Sequence, residues 1–468
     1  ELEDKVSTLE NGTVLPELAA PADPGPSTED LDQKIRVIER KAELAEEAAE
    51  QRRKETPLVS IGASGVTFSS ADTNFVLRLR GVVQGDTRTF FDDNPLSEGN
   101  DGFFLRRARP IIEGTVFGDW DYQLVPDFGG NSVQIFDANI AYRYRPELRF
   151  RVGKFKSPVG WEQLTPDAAV SFNERSFVTA LVPSRQTGAQ IDGEAFNGRL
   201  LYAGGVFNAT GDSRVASNTD FGDHPEFGAR LGFRPFRRSD QEWLRGLEFG
   251  VGGTWTQVNS NSLALPATTG GSRPGYLTPG LQQFFAYNSA AGSVVADGTQ
   301  WRVSPHLVHT YGPFGLLGEY ILRNQSVLNS TTRRTAELRH SAWQVAAQWV
   351  LTGEPASFNG IVPLRPFKPA DGSWGAWQLV ARYSALDIDP DAFPAFASPL
   401  SSASGADTWG VGINWWLNRN VRLLTSFSLT SFDGGGTPNP ADPASQVPPA
   451  TVTQQDEKAL FTRLQIAF

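Results

Sequence analysis

Arginine recurs at every second position in several stretches of this sequence. Arg78 and Arg80 alternate with apolar residues in one stretch, and Arg107 and Arg109 follow the same spacing in the next. A guanidinium group keeps its charge, and its planar fork of N–H donors can grip a phosphate or carboxylate through two parallel hydrogen bonds. Arginines with this spacing share one face of a strand and could together bind small anions. The arginines that alternation places opposite the apolar face are Arg78, Arg80, Arg88, Arg107, Arg109, Arg149, Arg151, Arg230 and Arg234.

The elements that position these arginines are predicted to be β-strands, because apolar and polar residues alternate around them. The alternation extends over residues 57–468 and is clearest at 73–90, 226–236, 342–352, 409–417 and 460–468. Short turns at 118–119, 145–147 and 417–420 are interspersed with long polar connections at 92–102, 258–298, 353–373 and 432–456. About sixteen segments have the ~10 residues with which a tilted strand crosses a bilayer. We therefore predict an all-β fold, a sixteen-stranded antiparallel transmembrane β-barrel with long external loops.

Composition excludes several other classes of protein. The 468 residues include 46 Gly, 31 Phe and 12 Trp but no Cys, which excludes disulfides and Cys-ligated metals. His306 and His309 fall on opposite faces of a strand and cannot bind one metal together. We find no catalytic or cofactor-binding motif, and we expect neither an enzyme nor a cofactor. The net charge of −10 and the lack of a basic domain argue against a nucleic-acid partner.

The N-terminal part of the sequence has a different pattern. Residues 11–28 are rich in Pro and small residues and predict a linker, so that residues 1–28 form an N-terminal segment and linker. Residues 29–56 predict a helix that ends before Pro57, with a heptad seam that favours a three-stranded coiled coil. A solvated amphipathic helix is the alternative interpretation. The absence of Met, at position 1 as elsewhere, predicts that an export signal has been removed. The seam consists of Leu31, Ile35, Ile38, Ala42, Ala45 and Ala49.

Motifs in residues 57–468 resemble those of the phosphate-selective (O/P) porin family, and they occur in the family's order. They are FLRRARPIIEG at 104–114, VGKFKSPVGWEQL at 152–164, VLTGE at 350–354, ARYSALD at 381–387 and GINWWLN at 412–418. The resemblance implies a homotrimeric channel in the bacterial outer membrane that passes anions by passive diffusion. It also implies a third loop folded inward to form the constriction, and an N-terminal helix in the periplasm.

The resemblance also implies roles for particular residues. It places Arg106, Arg107, Asp137 and Arg175 at the constriction, with Glu162 and Glu174 in the same loop. Arg106 shares the phase of outward-facing residues, so an inward position requires a local bulge. Phosphate-selective members have a lysine where this chain has Gln163 and an arginine where it has Val82. Lys154, Lys156 and Arg80 are candidates to replace the missing charge.

A charge on the lipid face near the bilayer midplane costs about 2–4 kcal/mol, so the arginines are expected to face the lumen. The predicted anion-binding and pore-lining residues are Arg78, Arg80, Arg106, Arg107, Arg109, Asp137, Arg149, Arg151, Lys154, Lys156, Glu162, Arg175, Arg185, Arg230 and Arg234. An alternative is that these arginines only pair with carboxylates across the lumen.

Three functions remain open at this stage. The first is a channel selective for anions such as phosphate, and the second is a general porin with weak selectivity. The third is a barrel that anchors the outer membrane to the cell wall, which a wall-binding module ahead of the helix would reveal. In each case the expected partners include outer-membrane lipids and lipopolysaccharide.

Overall fold

A computed structural model of the chain describes residues 28–91, 101–130, 132–216, 224–267, 273–288, 293–436 and 452–468. The chain divides into one unit that ends at Pro57 and a second that spans Leu58–Phe468. The first unit contains the predicted helix, α1, at Thr28–Glu55. Its seam residues Leu31, Ile35 and Ile38 are exposed in the single chain. The linker predicted for residues 1–28 lies, except for Thr28, outside the described residues.

No helix in the described ranges is both long enough and apolar enough to cross a membrane.

The second unit consists mainly of β-strands. They are β1 Leu58–Gly62, β2 Gly65–Ser69, β3 Val76–Phe90, β4 Gly102–Val116, β5 Trp120–Asp127, β6 Gln134–Arg145, β7 Leu148–Phe155, β8 Gln186–Ala195, β9 Leu200–Asn208, β10 Pro225–Phe233, β11 Glu248–Asn261, β12 Gly275–Leu277, β13 Gln283–Ala286, β14 Val294–Tyr311, β15 Phe314–Asn329, β16 Arg334–Val350, β17 Ala376–Asp387, β18 Ala403–Trp416, β19 Val421–Gly436, β20 Val452–Thr453 and β21 Glu457–Ala467. The short helices are α2 Trp161–Leu164 and α3 Glu242–Arg245, with 3-10 turns at Phe177–Leu181, Ser262–Ala264, Pro369–Asp371 and Pro390–Ala392.

Within the described residues, sixteen strands form a closed antiparallel barrel, which confirms the predicted fold. The barrel strands are β3 to β11, β14 to β19 and β21. The last strand pairs with the first, from Ala459 opposite Phe90 to Ala467 opposite Val82. The hairpin β1–β2 pairs with the first residues of β3, before the part of β3 that pairs with β21. Val66 lies opposite Leu79.

The connections define two ends of the barrel. We call the end with the predicted short turns, such as those after Val116 and Arg145, the turn end, and the opposite end the loop end. The prediction that 353–373 is an external loop is wrong. A four-residue turn joins β15 to β16 at the loop end, so the next connection, residues 351–375, falls at the turn end. There the backbone N–H of Phe367 donates to the carbonyl of Leu417. The length and polarity of this connection suggested the loop end of the barrel. The order of the strands, and not the length of a connection, determines the end at which it lies.

Strand alternation separates two faces, as the sequence predicted. On β16, Trp343, Val345 and Trp349 point outward, whereas Gln344 and Gln348 point inward and are buried. Outward aromatic rings stack between neighbouring strands, as Trp377 does on Trp415 with centroids 5.0 Å apart. An apolar outer face suits contact with lipid chains, and the polar inner face suits a water-filled lumen.

Part of the lumen is filled by packed loops rather than by water. Phe284 and Phe285, on the hairpin formed by β12 and β13, are buried against Phe177 and Leu181. The same core includes inward apolar residues of the wall, such as Leu338 on β16. The alternation within single strands did not predict this core, because its partners come from distant loops.

A buried ionic cluster holds the connection between β9 and β10 to the barrel wall. Oδ1 of Asp212, which follows β9, lies 2.7 Å from Nη2 of Arg302, and its Oδ2 lies 2.6 Å from Nε of Arg323. Glu226 accepts a further hydrogen bond from Nη1 of Arg302 at 3.2 Å. All four side chains are fully buried. Removal of one partner from such a cluster leaves an uncompensated buried charge.

We therefore predict that Asp212→Ala destabilises the barrel by about 3–5 kcal/mol. The measurement is urea unfolding of the protein in detergent, followed by intrinsic tryptophan fluorescence. Asp371→Ala serves as the control, because Asp371 lies in an exposed pair 3.9 Å from Lys368. Equal unfolding midpoints for the two variants would contradict a role for the Asp212 cluster in stability.

Candidate functional site

The segment between β7 and β8, residues 156–185, folds into the lumen, and we call it the inward loop. Three of its backbone carbonyls accept hydrogen bonds from strands on the far side of the barrel. Gln465 donates to Ala168 O at 3.0 Å, Arg422 donates to Val170 O at 3.0 Å, and Asn414 donates to Ser171 O at 3.1 Å. The donors lie on β21, β19 and β18, so the loop crosses the lumen and narrows it. The third loop expected from the resemblance is present.

A second set of contacts fixes the start of the inward loop. Glu162 Oε2 accepts hydrogen bonds from the backbone N–H and the hydroxyl of Ser176, at 2.9 and 2.6 Å. The side-chain amide of Gln344 lies 3.1 Å from both Glu162 Oε2 and Glu319 Oε2. The backbone N–H of Glu162 donates to Glu319 at 3.2 Å. Glu162 is thus a buried anchor of the loop rather than a group that faces the pore.

Asp167 lies in the inward loop among four arginines. Its Oδ2 accepts a hydrogen bond from Arg109 Nη1, and its Oδ1 accepts one from Arg175 Nη1. Arg107 Nη2 lies 3.7 Å from Oδ1, and Arg185 Nη2 lies 3.8 Å from Oδ2. Burial by itself would raise the pKa of Asp167, but the nearby guanidinium groups hold that pKa well below its usual range. The carboxylate is therefore ionised at neutral pH.

Two cavities meet at this carboxylate. The turn-end cavity has a volume of about 730 Å³, and the loop-end cavity has a volume of about 590 Å³. Arg109, Asp167 and Arg185 line both. These three residues therefore form the boundary between the two chambers, against the wall formed by β4 to β8.

Arg106 and Arg107 both point into the lumen because β4 contains a β-bulge. Gln84 pairs with Arg107 and Gly85 pairs with Leu105, so Arg106 is the extra residue of the bulge. Arg106 Nη2 donates to Glu174 Oε2 of the inward loop at 2.9 Å. An inward Arg106 was predicted to require a local bulge, and the structure confirms that bulge.

The other predicted residues also line or approach the lumen. Arg149 and Arg151 pair with Asp192 on β8, and Arg185 Nε lies 3.4 Å from Asp137 Oδ1. The two predicted lysines donate to backbone carbonyls, Lys154 to Ala216 O and Lys156 to Thr165 O. Arg78 and Arg80 pair with Glu113, and Arg230 and Arg234 pair with Glu248.

Each arginine in the list of predicted pore-lining residues therefore lies within ion-pair distance of a carboxylate, which is the pairing that the sequence left open. The sequence prediction missed Asp167, the residue with most of these contacts. Asp167 lies outside any strand, where alternation carries no information. The turn signal of Thr165-Pro166-Asp167 was the only local indication of its setting.

Comparison with known proteins agrees with this architecture. The chain matches the family described as phosphate-selective porin O and P over residues 77–465. It is 25% identical to Porin O of Pseudomonas aeruginosa over 401 residues, which cover 79% of this chain and 86% of that protein.

Solved structures with a similar fold include the outer membrane channel DcaP of Acinetobacter baumannii. Its TM-score is 0.51 at 11% identity, and the match covers 86% of this chain and 99% of that one. Another is the anion-selective porin from Comamonas acidovorans, with a TM-score of 0.50 at 9% identity over 84% of this chain and 99% of that one.

A closed sixteen-stranded barrel whose lumen is narrowed by an inward loop defines an outer-membrane porin, a channel rather than an enzyme. Because the family match covers most of the chain, the protein belongs to the phosphate-selective porin O and P family.

Glu174 provides a test of how the inward loop is held. Burial would raise its pKa, but the charge and hydrogen bonds of Arg106 lower that pKa to about 2. A lowered pKa means that the ion pair stabilises the loop fully above the ordinary carboxyl pKa of 4.5, and that this stabilisation is lost progressively as the pH falls from 4.5 to about 2. Glu174→Gln should therefore increase open-channel current noise at pH 7 and, by a smaller amount, still at pH 4. Near pH 2 the unmodified protein should become as noisy as the variant.

The control is Glu194→Gln, which removes a half-exposed carboxylate 3.5 Å from Arg237 and should leave the noise unchanged. If the unmodified protein already reaches the noise of Glu174→Gln at pH 4, Glu174 titrates normally and does not hold the loop.

Proposed function

We propose that this porin is an anion-selective diffusion channel that passes small anions of the phosphate type with low affinity. The observation that carries the proposal is the excess of cations around both chambers. Among the described residues, six arginines and three carboxylates line the loop-end cavity. Eight arginines, one lysine and four carboxylates of the same ranges line the turn-end cavity. Rings of cationic side chains are one way to build an anion pore.

Low affinity for phosphate is supported by two neutral residues of the cavity walls, at positions where the resemblance implies cations. Gln163 lines the loop-end cavity, and its side-chain amide donates to Ser184 O at 3.1 Å. Val82 lines the turn-end cavity. Lys156 is a weak substitute, because burial and the charge of Arg185 lower its pKa well below the ordinary value. The ion pairing of the arginines favours the second candidate, a general porin with weak anion preference.

The proposed setting is the outer membrane, with the outward apolar face against lipid chains and lipopolysaccharide. We assign the turn end and helix α1 to the periplasm, because barrels of this class have short periplasmic turns. A homotrimer is supported by the Ile35 and Ile38 seam, because Ile at both seam positions favours three strands.

Reversal potentials in asymmetric KCl test the proposed function. We expect a clear anion preference, because cations exceed carboxylates in both chambers. Phosphate should block the chloride current only at millimolar concentration. Gln163→Lys should strengthen the block, because two unit charges 4 Å apart interact by about 4 kcal/mol at an effective dielectric constant of 20, and water in the lumen reduces this.

Gln241→Lys is the matched control, since Gln241 is an exposed residue next to α3 at the turn end. Absence of anion preference in the unmodified protein would exclude an anion channel. A micromolar phosphate block that disappears in Lys154→Ala, Lys156→Ala would contradict the proposed low affinity.

The trimer is tested by native mass spectrometry of the detergent-solubilised protein, for which we expect three chains. Ile35→Asp combined with Ile38→Asp should lower the temperature at which the trimer dissociates. Val37→Asp should not, because Val37 is about as exposed as Ile35 in the single chain but lies off the seam. A monodisperse monomer at micromolar concentration would contradict the assembly.

A further inference from the structure

The place at which the arginines converge is already occupied by a carboxylate of the protein itself. Asp167 receives hydrogen bonds from Arg109 and Arg175 and lies within 3.8 Å of Arg107 and Arg185. Its side chain is only 10% exposed, and it borders both chambers. An oxyanion that passes from one chamber to the other must approach the guanidinium groups that Asp167 already contacts.

The four arginines around Asp167 carry more positive charge than their carboxylate partners offset. Arg109 Nε also pairs with Asp127 at 2.6 Å, and Arg185 Nε lies 3.4 Å from Asp137 Oδ1. Three carboxylates therefore face four guanidinium groups. The positive charge that remains could be offset by a passing oxyanion.

Backbone contacts also hold this part of the inward loop, in addition to the carboxylate. Gln84 Nε2 lies 3.4 Å from the carbonyl of Asp167, and Gln465 donates to the carbonyl of the next residue, Ala168, at 3.0 Å. Arg175 also donates to the carbonyl of Thr165 at 2.8 Å. None of these bonds involves the side chain at 167, so we expect the loop to keep its place when that side chain is neutral.

We propose that Asp167 is the specificity-determining residue of the pore, a resident carboxylate that competes with permeant oxyanions for the arginines at the constriction. A permeating phosphate or carboxylate gains contacts with Arg107 and Arg185 while Asp167 keeps those with Arg109 and Arg175. The competition keeps anion binding weak, so that anions leave as readily as they enter. This inference rests on the proposed anion-channel function.

The test is the half-blocking phosphate concentration for chloride current in Asp167→Asn, measured beside the reversal potential. We expect the half-blocking concentration to fall about tenfold or more, which corresponds to about 1.4 kcal/mol of binding free energy. The anion preference should also increase. Asp167→Glu, which keeps a carboxylate, should retain the weak block of the unmodified protein.

Asp192→Asn is the matched control, because it removes one carboxylate from the turn-end cavity, where it pairs with Arg149. It should change the half-blocking concentration far less than Asp167→Asn does. Equal effects of the two variants, in a protein that prefers anions, would overturn the inference and leave the proposed function intact. Absence of any anion preference in the unmodified protein would instead reject the proposed function.

Folding of each variant is checked by its heat-dependent electrophoretic mobility. Asp167→Ser provides a second neutral side chain if Asp167→Asn does not form a barrel. Failure of both to fold, while Asp167→Glu folds, would overturn the inference, because the carboxylate would then be a structural requirement.

Discussion

Charge cannot be placed on the lipid-facing side of a barrel without a cost of about 2–4 kcal/mol near the midplane. The strands obey that constraint by turning arginines such as Arg107, Arg302 and Arg463 inward, where they are buried. A lumen lined in this way needs negative charge, which wall carboxylates such as Asp127 and Asp192 supply in part. The inward loop supplies more through Asp167 and Glu174. The position of the loop and the electrostatics of the pore therefore have the same origin.

The ion pairs have different electrostatic consequences for a single residue and for a whole chamber. Locally, every arginine in the list of predicted pore-lining residues has a carboxylate within ion-pair distance, so little charge is uncompensated at any one residue. Over a whole chamber, cations still outnumber carboxylates. An ion that crosses the lumen experiences the sum over the chamber. Selectivity for a class of ion is thus compatible with weak binding of any single ion.

The sequence predicted the barrel well because alternation is a property of each strand alone. It identified the inward face of Arg107 and Arg109, for example, without knowledge of their partners. It could not identify the partners, since Arg463 pairs with Asp86, which is 377 residues earlier in the chain. The bulge at Arg106 was predicted only from the family resemblance, because a one-residue change of register cannot be detected in the alternation of apolar and polar residues. Asp167 was missed because it lies in a loop, where apolar and polar residues do not alternate regularly.

The contacts of the inward loop also determine when the pore acquires its final width. Residues 156–185 are held by Asn414, Arg422 and Gln465, which lie on strands near the end of the chain. Contacts between residues so far apart in sequence form late, because the entropy of closing the intervening chain must be overcome first. A barrel that has not yet joined its last strands therefore lacks these three donors for the loop. The constriction is expected to reach its final form only when the barrel closes.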